Sequence, residues 1–419
     1  MPQPLHILIN CVGSAGDVHP FIAIGEVLQR RGHTVELLTS PYFQDRIVRA
    51  GLGFVPVGTL EDYQRTVADP RLWQARHGFN VVWQAFQRHM KEGYRAIERQ
   101  VRPGRTVLVG STLAWHARIA QEKLGLPHAT VHLSPSCLLS ATAPPKLAGA
   151  TWLSTLPPWL LRPLYAALER GVLDPMVLPT LNAFRARLAL PPTRRVLSQW
   201  MNSPDKVICA FPDWFAPPQP DWPAGAVTTG FPRWSAPAGS VLDPMLMRFL
   251  QAGPPPIAFT PGSAMAHGRG FFERALAACD ALGRRAVLIS PFNEQMPPRL
   301  PAFAHHVGYV PFDLLLPHLA AIVHHGGIGT LAQALAAGVP QMITPFAHDQ
   351  FDNAARLVKL GVASTVSPDA AATRWAKALL PLAGKAEACA QLAHAMGRPG
   401  EAAERIADQI ESLHGAIPA

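Results

Sequence analysis

Charged residues make up only 16% of this 419-residue chain, and no stretch of it is dense in lysine or arginine. A disordered polymer carries more charge than this, and a protein that tracks a nucleic-acid backbone carries its basic residues in a patch or stripe, so both readings fall away. The five cysteines, Cys11, Cys137, Cys209, Cys279 and Cys389, are odd in number and widely spaced, with no Cys-x-x-Cys pair. Neither a disulfide framework nor a structural zinc site is indicated, and a reducing compartment fits. No uninterrupted apolar run approaches the roughly 18 residues of a membrane span, and no lysine or arginine precedes Arg30 as in a secretory leader. The expectation is a cytoplasmic protein that at most lies on the inner face of the cell membrane. Asp-x-Asp pairs, a Gly-x-Ser-x-Gly elbow and a phosphate loop ending in Gly-Lys-Ser/Thr are also missing. Their absence removes the paired carboxylates that hold a divalent ion, the hydrolase nucleophile and the ATPase loop.

What the chain does have is 48% hydrophobic residues and a net charge of +9, from 37 basic and 28 acidic side chains. A packed interior follows, and the length suits two large domains. The scattered positive charge suits a small acidic ligand or an anionic membrane surface, with no nucleic acid as partner. Leu5 to Cys11 is a short apolar run closed by Gly13, Gly16 and Asp17, after which Phe21, Ile24, Val27 and Leu28 recur at helical spacing. That reads as strand, glycine turn, helix. Further strands are expected at Thr34–Leu38, Thr106–Val109, His128–Leu133 and Lys206–Phe211. Beyond a proline-crowded stretch the alternation restarts with strands at Ile257–Thr260, Ala286–Ser290, Ala321–His324 and Gln341–Thr344, and helices at Phe271–Leu282 and Thr330–Ala337. Strands alternating with helices favour parallel sheets covered by helices. The expected division is an amino-terminal domain over 1–215, a proline-rich linker over 216–255 and a carboxy-terminal domain with terminal helices over 256–419.

Two apolar stripes invite a choice. Phe79, Trp83, Phe86 and Met90 fall at helical spacing, and Leu153, Leu156, Trp159, Leu160 and Leu161 form a second group broken by Pro157 and Pro158. Core packing and an apolar substrate groove both suit them, packing being the commoner role of such a face.

The most informative segment is His324-His325-Gly326-Gly327-Ile328-Gly329-Thr330, set between a strand and a helix and followed by His348-Asp349-Gln350. Glycines there let backbone N–H groups approach an anion, and a helix N-terminus adds partial positive charge without a metal. Diphosphate binding follows, with His325 and the Thr330 hydroxyl as donors and Asp349 and Gln350 suited to sugar hydroxyls. His324 reads as structural.

This combination resembles the donor-binding signature of the GT-B glycosyltransferases that use nucleoside-diphosphosugars, over nearly the whole chain. The resemblance implies an α/β fold of two Rossmann-like, doubly wound parallel-sheet domains facing across a cleft, the first holding the acceptor and the second the donor. It implies no cofactor, the dTDP-sugar being a substrate. His325, Gly327, Gly329 and Thr330 should hold the diphosphate, with Gly262 and Ser263 as a second phosphate loop. Asp349 and Gln350 should meet the sugar, Tyr309 and Val310 should flank the base, and Gln333 stands where plant relatives use a ribose-binding glutamate. In those relatives a histidine after the first glycine turn is the general base; here Asp17 takes that place, with His19 as rival. Asp17 also reads as a helix cap, and His19 as a cap ahead of Pro20 as first helical residue. Within the family, the blocks Gly13–Asp17, Asp69–Trp73, Phe215–Gln219 and Ala347–Asn353 are most similar to the rhamnosyltransferases of rhamnolipid synthesis. Such an enzyme moves L-rhamnose from dTDP-L-rhamnose to the hydroxyl of a 3-(3-hydroxyalkanoyloxy)alkanoate without a metal, with peripheral membrane contact or an acyltransferase partner in view. A transferase for another hydrophobic alcohol, a nucleotide-sugar epimerase and an inactive activating subunit stay open.

Overall fold

The computed structural model describes residues 3–236 and 239–416. Residues 1–2 and 417–419, at the ends of the expected domains, and 237–238, in the expected linker, lie outside the described residues. The chain forms two compact units. Unit 1 takes the residues up to Thr66, Phe79–Arg233 and those from Pro399 onward; unit 2 takes Val67–Gly78 and Trp234–Arg398. The passage into unit 2 at Trp234 thus falls inside the proline-rich stretch, while the closing segment returns to unit 1.

Unit 1 is built on a parallel sheet of seven strands: β1 (His6–Asn10), β2 (Thr34–Thr39), β3 (Gly53–Pro56), β4 (Thr106–Ser111), β5 (His128–His132), β6 (Lys206–Cys209) and β7 (Val227–Thr228). Their order is β3-β2-β1-β4-β5-β6-β7. Unit 2 repeats the wiring with β8 (Ile257–Thr260), β9 (Ala286–Ile289), β10 (Ala304–Val307), β11 (Ala321–His324), β12 (Gln341–Ile343) and β13 (Ala363–Thr365), in the order β10-β9-β8-β11-β12-β13. Both are doubly wound Rossmann-like sheets. In each, the strand order reverses between the first and fourth strands, and ligands of such sheets bind beyond the carboxyl ends there.

Central strands are apolar because helices cover both faces; Ile7, Leu8 and Ile9 are fully buried in succession. The helix Gly78–Gln100 turns Trp83, Phe86 and Met90 into the unit 1 core, where Trp83 and Phe86 pack on Trp115 with ring centroids 5.2 and 5.7 Å apart. That stripe is core, and Phe79 packs against its edge. The second stripe divides. Leu153 and Leu161 are buried with Tyr165, whereas Trp159 and Leu160 face outward. The closing helix Glu401–Glu411 packs on the helix Ala15–Arg30, where Arg31 Nη1 meets Asp408 at 2.8 Å and Glu411 at 2.9 Å.

Four strands went unread in the sequence: β3, β7, β10 and β13. All are sheet edges, and their residues are mostly half-exposed. An edge strand loses half its covering contacts and with them the apolar run that marks a central strand.

Candidate active site

The turns that follow β8 and β11 meet at the reversal point of the unit 2 sheet. Gly262 has φ +106°, a conformation that favours glycine, and its N–H donates to Thr260 Oγ1 at 3.2 Å. A Cβ on Gly262 would stand 2.8 Å from His325 Cε1, and one on Gly327 would stand still closer to His325 Nε2. The imidazole is therefore wedged between two positions that must lack a side chain. Its Nδ1 is buried with no hydrogen-bond partner, and burial, with His324 and His348 nearby, pushes its pKa down to about 3. A neutral imidazole with an unmatched nitrogen in a glycine cradle is poised for a ligand atom.

His324 sets the turn. Its Nδ1 accepts from the Gly326 N–H at 3.1 Å, so Nε2 carries the proton and donates to Gln341 Oε1 at 2.9 Å. Gly327 is the N-cap of the helix Ile328–Ala336, which has no acidic residue in its first turn. The N–H groups of Ile328, Gly329 and Thr330 precede the first intrahelical donor, Leu331, and remain for an anion. Ser263 is exposed beside this turn.

The other expected donor-site residues have their own engagements. Gln350 is buried, and its Oε1 accepts from the Phe346 and Ala347 N–H groups at 2.8 and 3.0 Å, which leaves its amide protons for a ligand. Asp349 Oδ2 accepts from Asn353 Nδ2 at 2.8 Å, and the same amide reaches the Gly326 carbonyl at 2.9 Å, tying the turn before Gln350 to the glycine turn after β11. Gln333 Nε2 donates to the Trp234 carbonyl at 3.0 Å. The Tyr309 ring is exposed, while the Val310 side chain belongs to a core cluster with Leu315 and Leu319. His348 went unread as a site residue. Its φ of +56° is uncommon outside glycine, and its ring meets Trp73 at 6.0 Å. Only the tertiary placement of 67–78 in unit 2 brings Trp73 there; no local signal announced it.

In unit 1 the turn after β1 leads into the helix Ala15–Arg30, capped by Ser14. Asp17 Oδ2 reaches back to the Ser14 N–H at 2.7 Å and to the Ser14 hydroxyl at 3.0 Å, and a Cβ on Gly13 would collide with this carboxylate. The capping contact fixes where Asp17 stands. It also corrects the reading of Pro20 as the first helical residue: the cap starts the helix at Ala15, so His19 lies in its second turn and Pro20 inside it. Ser14-x-x-Asp17 has the spacing of a capping box, a signal present in the sequence. Burial and the Arg46 charge push His19 down to about 4.

A polar file at the ends of β4 and β5 also escaped sequence reading. Asn202 Oδ1 accepts from His132 Nε2 at 2.8 Å, and His132 Nδ1 accepts from the Thr112 hydroxyl at 3.0 Å. The Val12 N–H donates to Ser111 Oγ at 3.2 Å, joining this file to the Asp17 turn. Among the described residues no group of His, Cys, Asp and Glu is placed to hold a metal ion.

Two doubly wound units, one with a glycine-cradled imidazole at a helix start, define a GT-B glycosyltransferase. Comparison with known proteins agrees. Family profiles described as "Glycosyltransferase family 28 N-terminal domain" and "Erythromycin biosynthesis protein CIII-like, C-terminal domain" match residues 7–142 and 286–410. Glycosyltransferase GtfC of Amycolatopsis orientalis is 32% identical over 371 residues, covering 85% of each chain. The chain belongs to the glycosyltransferase family that includes it. The solved glycotransferase of kitacinnamycin superposes with a TM-score of 0.75 at 22% identity over 100% of both chains. The spinosyn rhamnosyltransferase SpnG complexed with thymidine diphosphate superposes with a TM-score of 0.65 at 19% identity, over 94% of this chain and 98% of that one.

Proposed function

We propose that this enzyme transfers a deoxyhexose, L-rhamnose in the first instance, from its thymidine-diphosphate donor to the hydroxyl of a hydrophobic acceptor, with inversion and without a metal. The observation that carries the reading is His325, wedged between Gly262 and Gly327 with Nδ1 unmatched and the free N–H groups of a helix start beside it. Diphosphate is the ligand these groups suit: main-chain donors and an imidazole meet the charge that grows on the leaving group. Gly262, Ser263, Gly327, Gly329 and Thr330 surround the phosphates in this reading. Asp349 and the Gln350 amide take the sugar hydroxyls, the Tyr309 ring and the Val310 backbone flank the base, and Gln333 offers its carbonyl to the deoxyribose. SpnG, a rhamnosyltransferase solved in complex with thymidine diphosphate, supports the donor.

The acceptor oxygen attacks the anomeric carbon while the carbon–oxygen bond to the diphosphate breaks and its electron pair passes to the phosphate. The hydroxyl proton goes to Asp17, held by Ser14 at the carboxyl end of β1, where a ligand of this sheet would lie. A 3-(3-hydroxyalkanoyloxy)alkanoate is the acceptor supported by the four sequence blocks that resemble rhamnolipid enzymes. Another hydrophobic alcohol is the second reading, favoured by the 32% identity to GtfC. The test is transfer by the purified chain from dTDP-L-rhamnose to a panel of both acceptor types, with EDTA present. Product from the lipid acid selects the first reading and product only from other alcohols the second. Conversion of donor with no acceptor, or no product until magnesium is added, rejects both.

A further inference from the structure

We propose that the outer face of the segment 152–176 in unit 1 is a docking surface for an anionic lipid bilayer. The segment runs through a short turn Thr151–Thr155, the helix Pro158–Leu168, a wider turn Glu169–Leu173 and the helix Asp174–Arg187. Its inner side is anchored: Leu153, Leu161 and Tyr165 fill one apolar cluster, and Val177, Leu181 and Phe184 join the main core. Its outer side is apolar as well. Six of the 13 large hydrophobic side chains exposed among the described residues are Trp152, Trp159, Leu160, Leu168, Val172 and Met176, so exposure here is a cluster and not scatter. Leu168, Val172 and Met176 follow one another at intervals of four, which lays them along one face. Trp159 is 74% exposed and Trp152 60%.

Charge names the occupant. Between Lys123 and Pro204 the only carboxylates are Glu169 and Asp174, and both are buried. Glu169 accepts from the Ser198 N–H at 2.7 Å and the Ser198 hydroxyl at 2.6 Å; Asp174 accepts from the Arg195 and Val196 N–H groups at 2.8 and 3.1 Å. Arg162 and Arg170 are exposed within the patch itself, and Arg187 and Arg194 shortly after it. Indoles and aliphatic side chains interleaved with arginine, without an exposed carboxylate, match the boundary between acyl chains and anionic headgroups. A second copy of this chain fits worse, because pairing the patch with itself would set Arg162 and Arg170 against their equivalents with no acid to meet them. No helix among the described residues is long and apolar enough to cross a membrane, so the contact is peripheral.

Sedimentation of the full chain with vesicles tests this without any turnover. Vesicles containing phosphatidylglycerol should carry the protein down, and pure phosphatidylcholine vesicles should carry at least about tenfold less. Trp152→Ser with Trp159→Ser should lower partition to the anionic vesicles by at least about tenfold. Arg162→Gln and Arg170→Gln should lower it by about fivefold each, with dTDP affinity unchanged in every variant. Should the tryptophan pair fail to fold, the arginine pair alone decides. Equal binding to both vesicle types, undiminished binding by the variants, or a concentration-dependent dimer that the tryptophan pair abolishes would each overturn the proposal.

Discussion

Gly262→Ala isolates the wedge around His325. The new methyl group would stand 2.8 Å from Cε1 and 3.0 Å from Nε2 of the imidazole, at a backbone φ of +106° that an L-residue adopts only under strain. Strain of this kind costs roughly 1–3 kcal/mol, and unit 2 should melt about 2–4 °C lower for each kcal/mol. The larger effect falls on binding. A ring pushed aside would forfeit the hydrogen bond to phosphate proposed for it, worth roughly 1.5–3 kcal/mol where one partner is charged, or about 10- to 150-fold in Kd for dTDP. Titration calorimetry with dTDP reads this directly. Combining the change with His325→Ala removes the group it collides with, so the double variant should bind no worse than His325→Ala alone. Dissociation constants for Gly262→Ala within twofold of the wild type, or a double variant tenfold weaker than His325→Ala, would refute the account of the cradle.

Further outcomes follow from the same structure. Asp17→Asn keeps the shape of the cap and removes the basic carboxylate, so kcat should fall by about 10²–10⁴ with dTDP affinity intact; undiminished turnover would take Asp17 out of the chemistry. Burial holds His19, His116, His132 and His324 down to about 4 and His128 and His325 down to about 3. Unfolded, each would take a proton near 6.5, so stability is intact above that value and declines as pH falls towards 4, by about 1.4 kcal/mol per histidine per pH unit. Unit 1 holds four of the six and should melt first on acidification; a Tm constant from pH 7 to pH 5 would contradict this. Ile406→Ala, in the fully buried face of the closing helix, should cost about 2–5 kcal/mol, whereas Arg31→Ala, in a partly exposed ion pair, should cost under about 1 kcal/mol. Denaturant melts that ranked them the other way would show that charge, not packing, fastens the closing helix.

The central strands and the glycine turns were legible in the sequence because each carries a local mark: an apolar run, or glycine at the end of one. The bounds of Ile257–Thr260 and Ala321–His324 were read to the residue. Edge strands such as Ala304–Val307 carry no such mark, and neither does the file Thr112–His132–Asn202, whose members lie far apart in the chain and meet only through sheet register. Gln350 and Gln333 could be singled out from their place in the chain, but their engagement with backbone groups could not, since hydrogen-bond partners at a distance leave no trace in residue type. A capping role for Asp17 was legible; the helix start at Ala15 was not, because Pro20, tolerated here in the second turn, reads as a first helical residue.

The twin wiring of the two sheets leaves electrostatics to tell them apart. At the fold reversal of unit 1 a resident carboxylate, Asp17, already occupies the electropositive start of its helix. A visiting phosphate would meet that charge as a competitor. The matching reversal in unit 2 has no acid between β8 and Glu273 and none in the first turn of the helix after β11. One aspartate thus makes near-duplicate scaffolds electrostatically unequal: a polyanion is repelled from the helix start in unit 1 and meets no such charge at the helix start in unit 2.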